Sequence, residues 1–288
     1  MSEEQFVKKA LQDPKLGPYL KKNFLSSLTY IGYPKELIES VFFSIENDQI
    51  EDLTIKKEKE LYRLQDIGFF QYHAPKFAEK FLLPPVPAAK NVLDLGCGRG
   101  GLMSTMSKLG RFERLIGIDI NPYKEWRELE NEKLHFQVVK EDKFPDFIKE
   151  IKPDMVMICW VLHHMKYDEQ ERYLSYVSEA LMPGAYVAVL EDCYSTKLPP
   201  EHDHNIHEEF MALSPTERKT VISVYDWVAN RVLARRKEMP IPFAFRTFEE
   251  WIELFDKYGF KYFDGHYIGF AEHRDVNTPQ SLLIFKRK

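Results

Sequence analysis

The chain has 288 residues, 44% hydrophobic and 30% charged, with a formal net charge of -5. That balance describes an ordinary globular protein and gives no global attraction to nucleic acid or to an anionic membrane. The opening MSEEQFVKKA lacks the apolar core of a signal peptide, and no apolar run long enough to span a bilayer follows, so a cytoplasmic protein that does not enter a membrane is expected.

Residues 1–85 read as a helical N-terminal extension, punctuated by Pro14, Pro18, Pro34 and Pro75. Pro34 followed by Leu37, Ile38, Val41 and Phe42 is a first-turn proline ahead of an amphipathic stripe. The segment 51–67 mixes both charges, as a solvated helix face does. Phe69, Phe70, Tyr72 and His73 then cluster, and Pro84-Pro85-Val86-Pro87 closes the region.

From Asn91 the pattern changes to alternating strands and helices, which predicts a doubly wound, mostly parallel α/β sheet. Strands are expected at Val92 to Leu95, Leu115 to Asp119, His135 to Val139, Met155 to Cys159 and Tyr186 to Leu190. The first runs directly into Gly96, Gly98, Gly100 and Gly101, a bare turn that exposes backbone to a ligand before a helix begins at Leu102. Gly96, Gly98 and Gly101 alone also satisfy a dinucleotide pattern. Asp94 discriminates, because an acid two residues before the first glycine repels a pyrophosphate and attracts a cation. S-adenosylmethionine carries adenosine at one end and a sulfonium and an ammonium at the other. Asp119 ends the second strand, 23 residues after Gly96, where an acid accepts from ribose hydroxyls.

The run Asp94-Leu95-Gly96-Cys97-Gly98 resembles the first motif of class I S-adenosylmethionine-dependent methyltransferases. The resemblance covers residues 91–288 and implies a seven-stranded sheet with an antiparallel last strand. It further implies that S-adenosylmethionine is the cofactor, with Asp142 on the adenine amino group, Lys143 beside it and Ile120 over one adenine face. Aromatics ahead of the glycine turn resemble a segment that lids the cofactor, which puts Tyr72 near substrate. Val161-Leu162-His163-His164-Met165 resembles the fourth motif of the group that includes quinone-biosynthesis C-methyltransferases. The Asn/Asp-Pro-Pro-aromatic run of many base-amino methyltransferases does not occur.

Within that frame His163 is a candidate base, with packing and loop geometry as the other role for either histidine. Asp192 is the second candidate base, and His164 and Glu191 are expected to contact substrate, since two acids at a strand end are costly if buried. Cys97, Cys159 and Cys193 are too few for a disulfide framework. Small thiols suit positions where backbone meets cofactor, so Cys97 and Cys159 join the cofactor set, and no metal is assigned.

After the fifth strand, 192–243 reads as a helical, substrate-side insertion within a domain spanning 86–288. Its His202, Asp203, His204, His207, Glu208 and Glu209 suit a solvent or substrate loop, or a metal if His204 and His207 share a helix face. Ser214-Pro215-Thr216-Glu217 and Thr247-Phe248-Glu249-Glu250 are capping boxes. Arg231, Arg235, Arg236 and Lys237 either complement a helix C-terminus or grip a phosphate or carboxylate. The expected acceptor is a small molecule, with an RNA base, or cofactor binding without catalysis, as alternatives.

Overall fold

Val92, Leu93, Asp94 and Leu95 are all buried in β1 (Asn91–Leu95), and a strand with no wet face belongs in the interior of a sheet. The computed structural model describes residues 1–30, 32–61, 89–201, 204–270 and 278–288. The further strands are β2 (Arg114–Asp119), β3 (Leu134–Val138), β4 (Met155–Cys159), β5 (Tyr186–Asp192), β6 (Phe260–Phe270) and β7 (Pro279–Arg287). They form one seven-stranded sheet in the order β3-β2-β1-β4-β5-β7-β6, parallel through β5 and antiparallel at the end. The five parallel strands expected from sequence are all present.

The strand order reverses between β1 and β4, the switch point beyond whose C-terminal strand ends open α/β sheets bind their ligands. Register is fixed by parallel pairs from Asn91↔Arg114 to Leu95↔Ile118 and from Val92↔Met155 to Asp94↔Met157. Leu93, Leu95, Ile116, Ile118, Val156, Ile158, Val187 and Val189 form a core with Phe144, Tyr173, Leu174, Val177, Trp251 and Phe255. Phe255 stacks on Phe285 of β7 with ring centroids 4.0 Å apart and planes 5° apart.

The chain divides into two compact units, neither continuous in sequence. The sheet unit draws on Ala74–Leu198, Arg246–Tyr267 and Ser281–Lys288. The helical unit draws on Met1–His73, Pro199–Phe245 and Ile268–Gln280, so the N-terminal helices and the stretch after β5 share one unit. Its helices are α1 (Glu3–Gln12), α2 (Leu16–Tyr30), α3 (Lys35–Glu46), α4 (Ile50–Lys56), and the segments His204–Met211 and Pro215–Trp227, the last continuing as a π-helix over Val228–Leu233. The expected stripe Val221, Val224, Tyr225, Val228 and Val232 is buried, and Tyr225 meets Phe24 edge to face at 4.3 Å. Ser214 and Thr247 make the capping boxes read from sequence.

Ion pairs also tie the two ends of the helical unit together: Lys15 to Glu217 at 2.7 Å, Lys22 to Glu209 at 3.0 Å and Arg231 to Glu3 at 2.9 Å. Arg235 reaches Glu58 and Lys237 reaches Glu51, while Arg236 donates to Asn230 Oδ1. The basic cluster therefore meets the chain's own acids and amide. No helix among the described residues is long and apolar enough to cross a membrane.

Candidate active site

The turn after β1 is shaped by what lies behind each glycine. Gly96, Gly98 and Gly100 have φ of 82°, 52° and 81°, a region that favours glycine. A Cβ at Gly96 would stand 2.6 Å from Val161 Cγ2, and one at Gly100 only 2.4 Å from the Phe136 ring. At Gly98 a Cβ would meet nothing within 4 Å among the described residues, so none of them covers the backbone at this point of the turn. Gly100→Ala combines positive φ with a ring that the sheet holds in place. It should lower stability by about 2–4 kcal/mol in denaturant unfolding, and a loss below about 0.5 kcal/mol would show that the turn tolerates a side chain there.

Asp94, at the C-terminal end of β1, is 3% exposed, and its Oδ1 has no hydrogen-bond partner among the described residues. Burial, and secondarily the carboxylate of Asp119, pushes its pKa up to about 7. Asp119 is 8% exposed at the end of β2. It accepts from Gly98 N–H and Asn121 N–H, each at 3.0 Å. Burial raises its pKa, opposed by those amides and that of Ile120. Burial also pushes the Cys97 and Cys159 thiols up, so both are protonated, inert neighbours.

Two buried acids around a bare glycine turn fit a cationic nucleoside ligand. An unpaired buried carboxyl is costly in isolation and is satisfied by an ammonium or a hydroxyl. Ile120, 59% exposed just past Asp119, offers an apolar face. Asp142 and Lys143 stand exposed on a 3-10 turn after β3; their assignment to adenine comes from the resemblance. Tyr72, His202 and Asp203, and the side chain of His204, lie outside the described residues.

The turn after β4 holds the histidines. His163 is 3% exposed and its Nδ1 hydrogen-bonds Glu191 Oε2. Glu191 is 1% exposed on β5. Its Oε1 also accepts from Val161 N–H at 3.1 Å and Leu162 N–H at 2.7 Å. The substrate contact expected of Glu191 is thus replaced by an internal one: three donors from this turn satisfy a carboxylate that burial would otherwise penalise. His164 is half-buried, its ring centroid 4.1 Å from that of His163, and Asp192 is half-buried at the end of β5. Just before the turn, Trp160 adopts φ of 54°, a conformation that costs about 1–3 kcal/mol in a bulky residue. Its N–H is anchored on Leu190 O at 2.8 Å.

Two contributors carry no spacing signal in the sequence. Val161 packs directly on Gly96, which couples the histidine turn to the glycine turn. Trp126 Nε1–H donates to Gly98 O at 2.8 Å.

A family model described as a methyltransferase domain matches residues 70–263. No curated protein matches the chain. Among solved structures, a chain of the complex between the Haloferax volcanii Trm112 methyltransferase activator and a methyltransferase is 15% identical. The match covers 83% of this chain and 97% of that one, with a TM-score of 0.51. The mitomycin 7-O-methyltransferase MmcR is 19% identical over 97% of this chain and 74% of that one, with a TM-score of 0.53. At such identities the likeness is one of fold.

Proposed function

Since the chain belongs to the methyltransferase family whose domain it matches over residues 70–263, we propose that it methylates a small organic acceptor that must lose a proton, with His163 as the base. S-adenosylmethionine, the cofactor of this enzyme class, supplies when bound a sulfonium methyl open to attack by a nucleophile. The observation that carries the reading is the buried His163–Glu191 pair on the turn that packs against Gly96.

An Nδ1–H donated to Glu191 fixes the imidazole tautomer in which Nε2 carries the lone pair. His163 then takes the acceptor's proton at Nε2, and the resulting imidazolium faces the Glu191 carboxylate, which stabilises it. Asp94 and Asp119 orient the donor from the β1 and β2 ends, and alignment of the reacting atoms supplies much of the rate. Hydroxyl, amine and activated carbon acceptors all suit a base of this kind. The resemblance of Val161 to Met165 to the quinone-biosynthesis group adds carbon to that set.

Titration of labelled S-adenosylmethionine against wild type and Asp119→Ala tests the donor side. The variant should bind about 10- to 100-fold more weakly, because a carboxylate accepting from hydroxyls contributes charge-assisted hydrogen bonds. Equal affinity would remove the cofactor assignment. Label transferred into the metabolite fraction of a cell extract supports the small acceptor. Label in RNA overturns it, and binding without any transfer indicates a cofactor-binding protein that does not catalyse.

A further inference from the structure

Gly98 is gripped from two sides. Its N–H donates to Asp119 Oδ2 at 3.0 Å, and its carbonyl accepts from Trp126 Nε1–H at 2.8 Å. Trp126 is itself immobilised: it is buried, stacks on Phe136 with centroids 5.3 Å apart and planes 11° apart, and meets Tyr123 at 5.7 Å. Phe136 in turn occupies the space left by two missing side chains. Its ring atoms lie 2.4 Å from a Cβ built at Gly100 and 2.6 Å from one built at Gly117. A rigid path therefore runs from β2 and β3 through two aromatic rings to the middle of the turn.

That path has a consequence for binding. A segment with glycine at 96, 98, 100 and 101 loses much conformational entropy when a ligand orders it. Anchoring Gly98 before the ligand arrives removes part of that cost. The anchor also turns both polar groups of Gly98 toward Asp119 and Trp126, and among the described residues nothing stands within 4 Å of a Cβ built there.

We propose that Trp126 is a positioning residue for the cofactor: its indole N–H holds the Gly98 carbonyl and so pre-orders the glycine turn for S-adenosylmethionine. This rests on the reading of that turn as the cofactor site. A residue that merely fills space would act through its ring alone; a positioning residue acts through the N–H.

Trp126→Phe separates the two, since it keeps a ring on Phe136 and deletes the donor. The affinity of the variant for S-adenosylmethionine and for S-adenosylhomocysteine should fall about tenfold by calorimetric titration, the scale of one hydrogen bond. Its melting temperature should stay within about 2 °C of wild type. The four tryptophans give four indole N–H signals in 15N-labelled protein. The signal missing from the variant identifies Trp126, and in wild type it should shift as S-adenosylmethionine is added. Unchanged affinity in the variant overturns the proposal. So does an affinity loss accompanied by a fall in melting temperature of about 5 °C or more, which marks a purely structural role. Wild type that binds neither ligand overturns the cofactor reading as well, which sets that failure apart from the first.

Discussion

His163→Ala should lower methyl transfer by about 10²- to 10⁴-fold, the usual contribution of a positioned general base, while S-adenosylmethionine affinity stays within about twofold of wild type. The split is expected because His163 bonds Glu191 and belongs to the turn after β4, whereas the cofactor contacts are assigned to Asp94, Asp119 and the glycines. Added imidazole should restore part of the rate in the variant, since the missing group is a proton acceptor. Glu191→Gln is the companion change. Its oxygen can still accept from the Val161 and Leu162 amides, which turns its NH2 toward His163 Nδ1; the change therefore removes the charge that faces the imidazolium and forces the tautomer that carries its proton on Nε2. A loss of about 10³- to 10⁴-fold is expected, because the tautomer left in place has no lone pair at Nε2 to take the proton. Glu191→Ala is a poor substitute, because it strands two backbone donors at about 1–3 kcal/mol each and so confounds rate with stability. Full activity in His163→Ala would return the pair to a structural role.

The strands and the glycine turn were legible because each is a local pattern: apolar runs at β1, β2 and β4 must be buried, and Gly96 and Gly98 mark a turn wherever the chain lies. Asp119 was legible for the same reason, as an acid at a strand end at the right distance from Gly96. Glu191 was not. Its neighbours in sequence place it at a ligand edge, and only the folding back of the Val161–His163 turn, 28 to 30 residues away, supplies the donors that let it be buried. The partners of the Arg231 cluster were hidden in the same way, because its acids come from the first 58 residues of the chain. Trp126 went unread because a tryptophan in a short helix has no signature beyond apolarity. Its role depends on a carbonyl 28 residues earlier. Non-local satisfaction of polar groups is what sequence spacing fails to encode.

The affinity for S-adenosylmethionine should rise with pH and level off near neutrality, and Asp94 is the reason. The titratable groups around its carboxyl are the Asp119 carboxylate, the Cys97 and Cys159 thiols and the Tyr173 phenol, which burial also keeps protonated. Burial holds both thiols protonated, so Asp119 is the charged neighbour, and desolvation outweighs it in pushing Asp94 up to about 7. The unliganded fold therefore prefers the neutral acid. An acid whose folded pKa lies above its unfolded value near 3.8 is most favourable to the fold at low pH, and that contribution is lost as pH rises from about 4 through about 7. A cation reverses the preference, because it stabilises the carboxylate. Binding below pH 7 must then expel a proton, so affinity should climb about tenfold per pH unit up to about 7 and flatten above it. At pH 6 it should be about tenfold weaker than at pH 8. Calorimetry in buffers of different ionisation enthalpy should detect that proton at pH 6 and miss it at pH 8. Asp94→Asn, neutral at every pH, should bind weakly, release no proton and gain stability over wild type as pH rises. A wild-type affinity that stays flat from pH 6 to pH 8 would mean that Asp94 is already ionised before the cofactor arrives. Its unpartnered oxygen would then need some cation other than the cofactor's to satisfy it.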